Sequence, residues 1–167
     1  YGPKENAEHY EKTYNTYQKI EGLPNGVYAA GLKAFYRAGN AGAAYENYVA
    51  KNEASRNAKF YAFNGADTLK TAIVSPFKGA PTTGQGHGSE SSAGGYVIPN
   101  NMEAAEYYMH TLGLYSNVVF NTVEDGTLTI GVRKDETITG DWSIFDDFSL
   151  TYYGAGNDAF QKWYDLT

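Results

Sequence analysis

The chain has 167 residues, 42% of them hydrophobic and 19% charged, which is enough apolar material for one folded domain and too much for a disordered segment. A net charge of −6, with no basic run longer than a dipeptide, excludes a nucleic-acid surface, since that needs clustered Lys and Arg to displace counterions. With no cysteine there are no disulfides, thiol nucleophiles or thiolate metal sites, and no apolar stretch approaches the length of a membrane span.

The chain opens at Tyr1 rather than Met, and is read as a segment of something longer. Residues 1–15 are polar and Glu-rich, with weakly helical or irregular character. A short strand is predicted up to Ile20, then a turn at Pro24-Asn25-Gly26, where Pro sets φ and Asn and Gly accept positive φ. A second strand runs over 27–37, with Tyr28, Ala30, Leu32, Ala34 and Tyr36 on one side. Its small residues suggest a central strand crossed closely by another layer.

Over 43–56, Tyr45, Tyr48 and Val49 fall at i, i+3, i+4, as in a short helix or an ordered loop. Strands follow over 59–63, turning at Asn64-Gly65, and over 69–77, ending near Pro76. Residues 79–95 are mostly Gly, Ser and Thr without apolar periodicity, which predicts a long mobile loop. Its Gly84-Gln85-Gly86-His87-Gly88 lacks the flanking strand, helix and lysine of a phosphate-binding loop. A helix starts near Asn100 or Asn101 and stops at Gly113.

Strands over 117–123 and 127–132 flank a hairpin turn at Glu124-Asp125-Gly126. In 140–154, Trp142, Ile144, Phe148, Leu150 and Tyr152 alternate onto one face, with Asp146 in the middle of that apolar row. A carboxylate there needs backbone amides, a cationic side chain or a bound cation. Many short strands between turn signals predict an all-β sandwich with one short helix and long loops. The domain is expected to span 1–154, and 155–167 to be a linker or the start of a following domain.

Two segments carry a family likeness. Tyr17-Gln18-Lys19-Ile20 followed by Leu23-Pro24-Asn25-Gly26-Val27-Tyr28 resembles the second and third strands of galactose-binding-like jelly rolls. Thr127-Leu128-Thr129-Ile130-Gly131, with the run from Asp141 to Leu150, resembles their last two strands. The ending Leu150-Thr151-Tyr152-Tyr153-Gly154 is similar to modules in exported multidomain proteins of saccharolytic gut bacteria. The resemblance implies a jelly-roll β-sandwich, secreted or at the cell surface, attached to glycan-degrading or glycan-capturing machinery. It also implies a structural calcium held partly by Asp146, with Asp147, Glu5, Glu8 and Glu11 as nearby acids. No acid-x-acid pair stands in the early strand, and an Asp146 satisfied by amides or a cationic side chain is the commoner outcome for a buried polar group.

Candidate ligand contacts are Tyr45 and Tyr48 with Asn47 and Arg56, because a stacking ring beside amide and guanidinium groups suits sugar hydroxyls. Trp142 offers a further ring at the start of its strand. Each of these also has a packing explanation: Tyr45 and Tyr48 fold their segment onto the sheet edge, and Trp142 sits in the core. His9, His87 and His110 have no ligand-spaced partner, and no pair of acids is placed for glycoside hydrolysis, so no enzyme is expected. The expected function is a non-catalytic carbohydrate-binding module that contacts a glycan and the neighbouring domains of its own chain. The alternative is a structural module that spaces those domains and binds no sugar.

Overall fold

A computed structural model describes residues 7–156, 161, 164 and 165. Eight of the 13 residues of the predicted linker at 155–167 therefore lie outside the described residues. In chain order the strands are β1 (Ala7–Tyr10), β2 (Tyr14–Ile20), β3 (Gly26–Arg37), β4 (Ala58–Phe63), β5 (Thr68–Ala72), β6 (Glu90–Ala93), β7 (Tyr96–Pro99), β8 (Ser116–Val123), β9 (Leu128–Lys134) and β10 (Trp142–Tyr152). Helix α1 (Ala41–Val49) lies between β3 and β4, and α2 (Met102–Glu106) between β7 and β8.

The first sheet has the order β1-β10-β3-β8 and the second β2-β9-β4-β5, with every pair antiparallel. β6 and β7 form a separate hairpin. With that hairpin set aside, the strands pair from the outside of the chain inward: β1 with β10, β2 with β9, β3 with β8, and β4 with β5. The result is an all-β sandwich.

Tyr28, Ala30, Leu32, Ala34 and Tyr36 of β3 face Phe60 of β4 and the β9 row Leu128, Ile130 and Val132 across the main core. The small side chains let the layers approach, as their spacing predicts. Asn117 and Asn121 sit on the inward face of β8 and close one side of the sandwich. Asn117 donates to the Ala34 carbonyl at 2.9 Å and accepts from the Val74 amide at 3.0 Å, while Asn121 donates to the Ala62 carbonyl at 2.8 Å.

Several expectations are corrected. Among the described residues two α-helices, α1 and α2, are formed rather than one. Asn40 caps α1 by accepting from the Ala43 amide at 3.0 Å. Asn101 caps α2 by accepting from the Ala104 amide at 2.9 Å, and α2 runs on into a π-helical turn, Tyr107–Thr111. From Ala7 onward the opening segment is not irregular, because β1 pairs with β10 and β2 begins at Tyr14; residues 1–6 lie outside the described residues. β5 ends at Ala72, short of the predicted Pro76.

The Gly-rich stretch is folded, not a structureless loop. Gly94 and Gly95, with φ of 58° and 84°, turn β6 into β7, and Glu90 gathers the preceding loop. One Glu90 oxygen accepts from the Tyr108 hydroxyl at 2.6 Å, and the carboxylate also accepts from the Gln85 and Gly86 amides. Burial opposes its charge, but the Tyr108 hydroxyl and those two amides outweigh that and hold the carboxyl below the usual glutamate range. A lowered pKa contributes stability above the unfolded-state pKa, and that contribution is lost as pH falls through the folded-state value. Glu90→Gln is therefore expected to cost on the order of 1–3 kcal/mol at neutral pH and to flatten the acid limb of the stability curve. Denaturant melts across the acid range check this, and an unchanged acid limb would remove Glu90 as the loop's anchor.

The predicted single face of the last strand is also corrected. Pairing with β3 shifts from Asp146 opposite Lys33 to Ser149 opposite Gly31, so β10 carries one extra residue, and Asp147 there takes a φ of 55°. This bulge reverses the alternation. Trp142, Ile144 and Asp146 face outward toward α2, whereas Phe148 and Leu150 turn inward against the main core, and the Tyr152 ring packs on Tyr28. Asp146 therefore ends the outward row after Trp142 and Ile144 instead of standing in the middle of an apolar row that runs on to Tyr152.

Candidate ligand-binding face

The two sheets differ on their outer sides. Phe35, Trp142 and Ile144 of the first sheet are covered at one end by Ala105, Tyr108 and Met109 of α2 and its π-helical turn. The second sheet has an open outer face. Strict alternation puts Asn15, Tyr17 and Lys19 of β2 there, because Tyr14 and Ile20 go to the core. β4 contributes Lys59, Tyr61 and Phe63, and β9 contributes Thr129, Gly131 and Arg133.

The register aligns these residues in rows. Asn15, Arg133 and Lys59 form one row, Tyr17, Gly131 and Tyr61 the next, and Lys19, Thr129 and Phe63 the third. Tyr17 is 62% exposed and Phe63 38%. Gly131 makes the centre possible. A Cβ there would lie 2.7 Å from the Tyr17 Cβ and 2.8 Å from the Tyr61 Cζ, so only glycine lets the Tyr61 ring lie down across the strand. The Tyr61 hydroxyl donates to Asn15 at 2.7 Å, and burial raises its pKa.

These residues line an open groove of about 1060 Å³. Its rim is charged. Arg133 pairs with Asp135 at 2.7 Å and Arg56 with Glu53 at 2.9 Å, both exposed. Lys59 and Lys70 add two further cations, and burial, followed by the Arg56 charge, lowers the Lys59 pKa. The groove therefore offers flat aromatic faces at its centre, with amide and cationic donors around them.

The residues singled out from sequence separate into three groups. Asn47, Tyr48 and Arg56 come together around a smaller cavity of about 270 Å³ between α1 and the sheet edge, and Arg56 also reaches the groove. The Asn47 amide is already engaged, donating to the Ala38 carbonyl at 3.1 Å. Tyr45 turns away, packing edge-on to Phe77 and over Gly94. Trp142 is a core residue, 4% exposed, with its ring edge-on to Phe35 and its indole N–H donating to Glu8 at 2.8 Å. That burial takes it out of reach of a ligand.

Asp146 meets residues the sequence reading set aside. Its Oδ2 lies 3.0 Å from His110 Nε2, and the same nitrogen lies 3.3 Å from Glu106 Oε2. Asp147 approaches the other ring nitrogen at 3.5 Å. Burial and the adjacent Asp146 carboxylate raise the Glu106 pKa. The acids expected to help hold calcium are elsewhere: Glu8 is bound to Trp142, Glu11 accepts from the Gly140 amide, and Glu5 lies outside the described residues. An imidazole among few oxygens does not fit calcium, which takes six to eight oxygen ligands.

Sequence reasoning missed the groove because Tyr17, Tyr61 and Gly131 are on three strands that only long-range pairing joins. The available signal was the mixed polar and aromatic make-up of 15–19, which suits a half-wet sheet face. No helix among the described residues is long and apolar enough to cross a membrane. No family model matches the chain, and no curated protein or solved structure matches it significantly.

Proposed function

We propose that this chain is a galactose-binding-like jelly-roll module of an exported bacterial protein. In this reading it holds a polysaccharide chain, without catalysis, across the outer face of its second sheet. The observation that carries the reading is the Tyr17–Gly131–Tyr61 row, two aromatic rings either side of a glycine in an open groove. Sugar rings present apolar C–H faces to such rings, and their hydroxyls pair with amide and guanidinium donors like those of Asn15 and Arg133.

The strand order supports the jelly-roll part, since pairing first with last, second with next to last and so on inward is how a folded-over eight-stranded ribbon wraps into that fold. The ion pairing of Glu53 and Asp135 with arginines supports binding over acid–base work by those acids. An open groove also suits a long chain better than a small molecule, which favours an enclosed pocket. Export and attachment to glycan-handling domains rest on the resemblance of the sequence segments.

Affinity electrophoresis through gels containing soluble plant and host polysaccharides tests this reading. Retarded migration in at least one gel is expected. Unretarded migration in all of them would overturn it and favour the structural module.

A further inference from the structure

We infer that Glu106, His110 and Asp146 form a binding site for a divalent transition-metal ion of the zinc class, on the outer side of the first sheet. The three side chains each present one ligand atom, all within 4.8 Å of one another. Donors about 2.0–2.1 Å from a tetrahedral ion lie about 3.3 Å apart. The separations from His110 Nε2, 3.0 Å to Asp146 and 3.3 Å to Glu106, are already close to that spacing.

Two independent elements deliver these donors. Glu106 and His110 are four residues apart where α2 passes into its π-helical turn, which brings them to the same side. Asp146 comes from the strand underneath, at the bulge that points it outward.

A simple ion cluster accounts poorly for the same atoms. A protonated imidazole has a single hydrogen on Nε2 and cannot direct it at both carboxylates. Two carboxylates share that one nitrogen while Asp147 faces the other, and Asp146 is largely buried, its side chain 10% exposed. Glu106 Oε1 is buried without a hydrogen-bond partner among the described residues, a vacancy that a cation beside the carboxylate compensates. The donor set also selects the ion. Imidazole with carboxylates suits zinc and its neighbours, and three protein ligands leave a fourth position open.

The test uses tag-free protein stripped with a chelator. Calorimetric titration with zinc ion is expected to show one ion bound per chain and a raised melting temperature, with no effect from calcium at the same concentration. Cobalt(II), as a spectroscopic substitute, should give the intense visible absorption of low-coordinate nitrogen–oxygen ligation. His110→Ala, and separately the shape-conserving Glu106→Gln, should weaken binding more than about tenfold, at least as much as loss of an outer-shell partner does. No zinc binding by the parent chain, or binding that both variants leave unchanged, would overturn the site.

Discussion

Asp141→Ala is expected to destabilise the domain by about 3–5 kcal/mol, because it strands a buried ammonium group. The inward row of β9 is Leu128, Ile130, Val132 and then Lys134, so alternation carries a lysine into the end of the core. Its Nζ lies 2.5 Å from Asp141 Oδ2, and both side chains are 0% exposed. The same oxygen accepts from the Tyr36 hydroxyl at 2.7 Å and the Ile138 amide at 3.0 Å. Burial, then the Asp141 hydrogen bond, drives the Tyr36 pKa far up, so that hydroxyl stays a donor. The Tyr14 and Tyr36 rings flank the ammonium at 5.8 and 5.3 Å.

Removing Asp141 leaves Lys134 in that aromatic box with no counter-charge. Replacing both members, as in Lys134→Met with Asp141→Leu, should recover much of the loss, since a buried pair owes part of its cost to desolvation. Denaturant unfolding of the single and double variants checks both statements. A single-variant loss under about 1 kcal/mol, the size of an exposed pair, would contradict them.

The second large effect falls on binding. Tyr17→Ala and Tyr61→Ala are each expected to weaken the retarding polysaccharide by about tenfold or more, and together to abolish measurable binding. Both rings lie at the centre of the groove, where a contact is best shielded from water. Tyr17 is largely exposed and contributes little to the core, so its truncation should leave the melting temperature nearly unchanged. Gly131→Ala should act in the same direction, because its Cβ would force Tyr17 and Tyr61 apart. Calorimetry with a soluble fragment of that polysaccharide measures all three variants. Undiminished affinity in the double variant would move the binding surface elsewhere.

What could be read in the sequence follows the range of the interactions. The turn at Pro24-Asn25-Gly26, the inward row of β3 and the Asn101 cap are local, set by φ preferences, period-two alternation and one side-chain bond. The β10 bulge was hidden because one inserted residue keeps the apolar composition while exchanging the faces. Lys134 was legible in principle, as the last member of an apolar row, but its partner lies across a loop. The Glu106–His110 spacing also stands in the sequence, and only the bulge brings Asp146 to it. The Gly-rich stretch misled because its order comes from the Glu90 carboxylate, backbone bonds such as Val97 N–H to the Pro81 carbonyl, and the stacking of His87 on Tyr107, rather than from any apolar period.

The proposal that the outer face of the second sheet receives a polysaccharide is tested most directly by following backbone amide resonances during titration with a fragment of the retarding glycan. Shifts are expected to concentrate on β2, β9 and β4 around Tyr17, Gly131 and Tyr61. Shifts confined to the cavity beside α1, around Asn47 and Tyr48, would contradict it.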